Sequence, residues 1–356
     1  MSDLQIALAI LGAVVIAAVY AYNAWQERKL RRRLEQAFAG QHEDVLLKRG
    51  GDSAAPAPRI EPRIGGEPAA VTAPIPAAGS ELLPDGADGM IECVAAIECR
   101  QAPGEAALRE LQQAIAVFGK PARLYGEDPA AGGWRVLGRD AKGSHQRLQA
   151  GLQLANRSGP LHAPQLNGFC DALRAWCARY DAPLELPDTA ETLKAAQALD
   201  AFCGETDVAI GLNIVALPGG AFSGGEVCEA AVLEGLALEP DGVFHRCDAA
   251  GDTLFTLENQ QPQPFVAGAV ESLQTPGLTL LLDLPRVADA EAVLDEMAAS
   301  GSRIAEALGG LLVDDNRVPL QAAGLARIKS QLREIQAAMA ARHIPAGCAR
   351  ARRLFA

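Results

Sequence analysis

Between Leu4 and Gln26 the chain carries no charged residue, and Arg28, Lys29, Arg31, Arg32 and Arg33 follow at once. A helix crossing the ~30 Å hydrocarbon core of a bilayer needs about 20 mostly apolar residues, and the run from Leu4 to Tyr22 supplies them. Tyr20, Tyr22 and Trp25 gather at its C-terminal end, where amphipathic rings favour the headgroup layer. The lead-in Met1-Ser2-Asp3 has no Lys or Arg, so the positive-inside rule keeps the basic flank in the cytoplasm and sends the N-terminus across. A cleaved signal peptide would place its basic residues before the apolar run, and Ala18-Val19-Tyr20 and Ala21-Tyr22-Asn23 are poor cleavage sites. Residues 1–27 are therefore expected to be a permanent single-pass anchor, with residues 28–356 hanging in the cytoplasm.

Net charge is −12, and residues 1–50 hold seven Lys/Arg against five Asp/Glu, which leaves −14 on the remainder. Acidity of that size argues against nucleic acid as a partner, because affinity for phosphate backbones comes from cationic neutralisation. The basic juxtamembrane segment, 28–50, has a simpler role in pinning the chain to anionic lipid. Residues 51–88 contain seven prolines, five glycines and nine alanines, too little apolar bulk to offset the entropy of ordering. They are expected to form a linker spanning about 30–40 Å as a coil and roughly 120 Å fully extended. The eight cysteines sit in a reducing compartment and form no Cys-x-x-Cys pair, so free thiols acting as small apolar fillers are expected, with no metal.

Beyond the linker, apolar residues alternate as in strands at Ile91–Ile97 and Val208–Ile214, and recur at helical steps at Leu108–Phe118, Leu166–Tyr180 and Leu325–Met339. Ser223-Gly-Gly-Glu226 spells a capping box, with Phe222 and Val227 placed as a hydrophobic staple. Residues 89–204 and 205–341 both follow the order β-α-β-β-β-α-β-α. The expected class is α+β: an anchor helix, a linker, then two split β-α-β antiparallel-sheet domains. Duplication and convergence on one fold both fit, since identity between the halves is low. Residues 342–356 form a basic tail around Arg350-Ala-Arg-Arg353, read as a solvated end.

No constellation for catalysis emerges. Gly219-Gly220 and Gly224-Gly225 lack the Lys-Ser/Thr or Gly-x-Gly-x-x-Gly of a phosphate loop. Asp314 and Asp315 fit a turn better than a metal site. The five histidines neighbour no candidate nucleophile, and Phe169, Trp176 and Tyr180 stand at core spacing. The best support for an enzyme is the proximity of Arg135, Arg139, Asp140 and His145, which a surface loop explains equally well. No catalytic residue, cofactor or small-molecule substrate is expected.

What remains is a tethered arm presenting sheet-and-helix modules. Thr275-Pro-Gly-Leu-Thr279, Ala307-Leu-Gly-Gly310 and Leu311-Leu-Val-Asp-Asp-Asn-Arg317 occur in order with Gly225-Glu226, His245-Arg246 and Leu254-Phe-Thr-Leu-Glu-Asn259. In these residues the chain resembles the ZipA cell-division family of Gram-negative bacteria. Asp3-Leu4, Gly12-Ala13 and Trp25-x-x-Arg28-Lys29 resemble the family's anchor, so the resemblance implies membrane-anchoring roles for Leu4, Tyr22, Trp25, Arg28 and Lys29. It also implies an inner-membrane protein at midcell whose C-terminal domain, 205–341, takes the tail of FtsZ on the open face of its sheet; the domain at 89–204, read from its element order as a divergent repeat, is an addition to the family pattern. The outward alternates here are Ala209, Gly211, Val243, Thr256, Glu258, Gln260, Thr279 and Leu281. Glu258, Gln260 and Asp241 depart from the family pattern and make the face more polar. The alternative is an adaptor for another partner, with the FtsZ groove decayed.

Overall fold

The computed structural model describes residues 86–138, 145–266, 268–314 and 317–356. The anchor residues Leu4, Tyr22, Trp25, Arg28 and Lys29, the juxtamembrane segment and the linker as far as residue 85 lie outside the described residues. Every described residue belongs to one compact unit. No helix among them is long and apolar enough to cross a membrane.

The first module runs β1 (Glu92–Glu98), α1 (Glu105–Ile115), β2 (Ala122–Asp128), β3 (Gly133–Val136), β4 (Arg147–Gln153), β5 (Ala155–Asn156), β6 (Gly159–Pro160), α2 (Ala163–Arg179), β7 (Leu184–Glu185) and α3 (Thr189–Thr206). Its antiparallel sheet has the order β3-β2-β4-β1-β7. Alternation along the strands turns Cys93, Ala95 and Ile97 of β1 and Leu148, Ala150 and Leu152 of β4 into the core. Phe169, Leu173 and Trp176, three or four residues apart on α2, are buried in the same core. Tyr180 departs from the expected core placement. It lies just past the end of α2, partly exposed, with its ring 4.6 Å from that of Trp176 and its hydroxyl donating to Glu110 at 3.1 Å.

The second module follows with β8 (Ala209–Val215), β9 (Phe222–Ser223), α4 (Gly224–Leu233), β10 (Ala237–Leu238), β11 (Phe244–Cys247), β12 (Thr253–Asn259), β13 (Gln274–Thr275), β14 (Gly277–Asp283), α5 (Ala290–Ala307), β15 (Leu311–Val313), α6 (Ala322–Ala341) and α7 (Ala349–Leu354). Its main sheet has the order β10-β11-β12-β14-β8-β15. The capping box forms: Glu226 N–H donates to Ser223 Oγ, and the Glu226 carboxylate accepts from the Ser223 N–H and hydroxyl. Phe222 and Val227 are buried on either side of it. Helix α5 lies close on the inner face, where a Cβ on Gly301 would stand 2.5 Å from Leu280.

Both sheets share a four-strand core in which β7-β1-β4-β2 corresponds to β15-β8-β14-β12, the order of a split β-α-β fold. They differ at one edge. In the first module the extra strand β3 follows β2, whereas in the second β10 and β11 precede β12. The shared element order therefore conceals a different hairpin placement.

One apolar core runs through both modules, from Ile91 to Phe355. The C-terminal tail helps close it. Leu354 and Phe355 are fully buried, Arg350 pairs with Asp88, Arg352 with Asp252 and Arg353 with Glu92. The basic run read as a solvated end is thus a helix bridging the start of the first module and the β11–β12 hairpin of the second. Arg157, in the β5–β6 turn, adds a second bridge to Asp207 at 2.8 Å and Asp283 at 2.7 Å.

Candidate functional site

Strand pairing decides which side chains share the outward face of the second sheet. Leu212 and Ile214 of β8, Leu278, Leu280 and Leu282 of β14, and Phe255 and Leu257 of β12 point into the core. Their alternates must point away. Register then aligns Thr256, Leu281 and Gly211 in one cross-strand row, and Glu258, Thr279 and Asn213 in the next. Asp283 and Ala209 pair beyond the first row. Six of the eight expected face residues, Ala209, Gly211, Thr256, Glu258, Thr279 and Leu281, are thereby brought together. His245 of β11 pairs with Thr256 at the far end of the first row. Val243 stands just before β11, one step past the Phe244–Leu257 pair and so on the side of Glu258 and the second row. Gln260 stands just beyond β12, where its N–H donates to Gly277 O.

Polar contacts knit one half of this face. Thr279 Oγ1 donates to Asn213 Oδ1 at 2.8 Å, and Gln260 Nε2 reaches the same oxygen at 3.1 Å. Gln260 thus lies across β14 where Gly277 leaves room; a Cβ there would stand 2.3 Å from its amide oxygen. Thr256 Oγ1 donates to Glu258 Oε1 at 3.0 Å. On β11, His245 lies half-buried between Asp241 at 2.9 Å and Thr253 at 3.1 Å.

The other half is smoother. Leu281 is half-buried beside Gly211. At the edge of β8, where pairing with β15 ends at Asn213, a cavity of about 510 Å³ opens. Ala209 and Gly211 form one wall; Val318, Leu320 and Ile328 line the other, with Arg327 at the rim. The Thr256–Leu281–Gly211 row therefore leads from a shallow floor toward a deeper recess of mixed lining, in which Asp314, Gln321 and Gln331 stand beside the apolar side chains. Asn213 and the recess were missed from the sequence. Asn213 continues the Ala209, Gly211 alternation and was within reach of that signal. The recess comes from chain folding back more than a hundred residues later and leaves no local mark.

The corresponding face of the first sheet is covered. Ala87 is buried against Tyr125 and Trp134, with Val94 and Val136 beside them. Its N–H donates to Gln149 Oε1 at 2.8 Å. Glu92, on the same face, accepts from the Tyr125 hydroxyl at 2.9 Å and the Asp88 N–H at 2.9 Å as well as from Arg353. Burial, reinforced by the Glu92 charge, pushes the Tyr125 hydroxyl up to about 12.

The residues weighed for an enzyme are occupied structurally. Arg135 pairs with Asp128 at 3.0 Å, holding that carboxyl below its usual range, and His145 Nδ1 lies 2.7 Å from Glu127 O; Arg139 and Asp140 lie outside the described residues. Asp314 ends β15 in a turn, accepting from Val318 N–H at 2.9 Å. No group of acidic, His or Cys side chains among the described residues is arranged to hold a metal.

Residues 208–331, which contain both rows and the recess, match the family described as ZipA, C-terminal FtsZ-binding domain.

Proposed function

From the assignment of residues 208–331 to the ZipA family, we propose that this chain is a cell-division scaffold that tethers FtsZ filaments to the cytoplasmic face of the inner membrane and so stabilises the division ring. The observation that carries the reading is the family match falling on a sheet with one face against α5 and the other open along Thr256, Leu281 and Gly211. A peptide laying apolar side chains on such a face is a recurrent recognition mode. The uncharged segment at Leu4–Tyr22 supplies the anchor, and the 51–88 linker the reach. A tether of that length holds the domain near millimolar effective concentration beneath the bilayer. Weak individual contacts then suffice, because a filament presents many tails.

The test is a fluorescent fusion of the full chain, followed in dividing cells. A band at midcell is expected for the wild type, and uniform membrane fluorescence for Leu281→Asp. Uniform fluorescence for both, or recovery of the full chain away from membranes, defeats the reading. The second reading is an adaptor for another protein, favoured by Gln260 covering part of the face. Capture from cells separates the two, because FtsZ would be missing from its partners.

A further inference from the structure

Glu258 is the acidic side chain in the middle of the open face, and Thr256 Oγ1 is its sole hydrogen-bond donor among the described residues. Two neighbouring carboxylates on the face already have side-chain partners, while Arg327 stands apart at the recess rim. Asp241 takes His245 and Asp283 takes Arg157. Glu258 is half-buried on the sheet, one row from Leu281 and Gly211. In the free protein, water completes its solvation. A ligand that covers the rows removes that water, and a carboxylate buried without a cation is strongly penalised. The occupant must either avoid this row or bring a positive group to it.

Resting on the FtsZ-tail reading above, the geometry points to a groove that selects a cationic as well as an apolar residue: the bound peptide sets an apolar anchor over Leu281 and Gly211, toward the recess, and a Lys or Arg against the Glu258 carboxylate. Glu258 and Leu281 are diagonal neighbours on paired strands, so the two positions lie about 7–8 Å apart. A helical peptide matches that span with residues about four apart, and an extended one with residues two apart. The spacing between anchor and cation is therefore itself expected. The net charge of −12 on the chain fits the same partner, since it steers a basic segment inward.

The experiment titrates a synthetic peptide of the tail of FtsZ from the same cell against the full chain in lipid nanodiscs. Three proteins are compared: wild type, Glu258→Gln and Leu281→Asp. A second peptide carries Gln in place of each Lys and Arg. Glu258→Gln keeps an acceptor for the Thr256 hydroxyl, so its unfolding midpoint should match the wild type. Expected is a loss of about tenfold in affinity on Glu258→Gln at low salt, and the same loss on neutralising the peptide. The two changes together should cost no more than either alone, and added salt should shrink the difference. Equal binding by wild type and Glu258→Gln, with Leu281→Asp still defective, overturns the inference and leaves the FtsZ reading standing. A tail with no Lys or Arg two to four residues from its apolar anchors does the same. Failure of the wild type to bind either peptide overturns both.

Discussion

The guanidinium of Arg353 donates to the carboxylate of Glu92 across 261 positions of sequence, joining the last helix to the first strand. Glu92 is almost completely buried, and Gly151 on the neighbouring strand makes the space: a Cβ there would stand 2.9 Å from the carboxyl carbon. Removing one partner of a buried pair leaves the other charge stranded, at a cost of about 3–5 kcal/mol. Arg353→Ala should therefore lower the unfolding free energy by roughly that amount. Glu92→Gln combined with Arg353→Met should lose less than the single change, since no lone charge remains. Denaturant unfolding of the full chain checks both; an unchanged midpoint for Arg353→Ala would show that α7 is not a clamp.

Alkaline pH should weaken the fold in a defined window. Burial pushes the Cys93 and Cys203 thiols up to about 12 and Cys177 to about 11, and burial with the Glu92 charge raises Tyr125 to about 12. All four groups hold their protons more tightly folded than unfolded. Their contribution is complete below the ordinary thiol value of 9.0 and is lost as pH rises through the folded values. Melting temperatures should be flat between about pH 7 and 8.5 and fall steadily from about pH 9 upward. Cys93→Ala should lessen the fall. A melting temperature that stays level to about pH 11 would contradict the burial of these groups.

What the sequence made legible was local. The alternation of β1 and β8, the Ser223–Glu226 box and the 3.6-residue stripes of α2 and α6 are one-dimensional signals, and each became the element it spelled. The face residues followed, because period two assigns Ala209, Gly211, Thr279 and Leu281 to one side whatever the neighbours do. The arginines at 350–353 were illegible for the opposite reason. Their partners Asp88, Glu92 and Asp252 lie about 100 to 260 residues away, and a run of Arg carries no mark distinguishing a clamp from a solvated end. Hairpin placement was hidden in the same way. The order β-α-β-β-β is the same whether the extra strand lies before or after the one that pairs with the centre.

One FtsZ tail per chain is expected, despite two sheets of similar core order. On the first sheet Ala87 occupies the surface between Tyr125 and Trp134, and Arg350 and Arg353 hold Asp88 and Glu92 in place. Among the described residues no buried side chain covers the Thr256–Leu281–Gly211 row in this way. Calorimetric titration of the full chain with tail peptide should give a stoichiometry of one. A second site, abolished by Trp134→Ala and kept by Leu281→Asp, would show that the first face is exchangeable.

Leu281→Asp should separate binding from folding. Leu281 lies between Thr256 and Gly211 with its side chain turned from the core. In the free chain an aspartate there stays in water, so the stability loss should be about 1–2 kcal/mol, the range of an ordinary substitution on a half-exposed strand. In the complex the same carboxylate would be covered by an apolar side chain without a partner, which costs several kcal/mol. Two residues away Asp283 is already matched by Arg157, so that cation is not free to compensate. Peptide affinity should fall by well over about tenfold while the unfolding midpoint shifts only slightly. Equal loss of both would mean that Leu281 belongs to the core, and unchanged affinity would move the binding face elsewhere on the molecule.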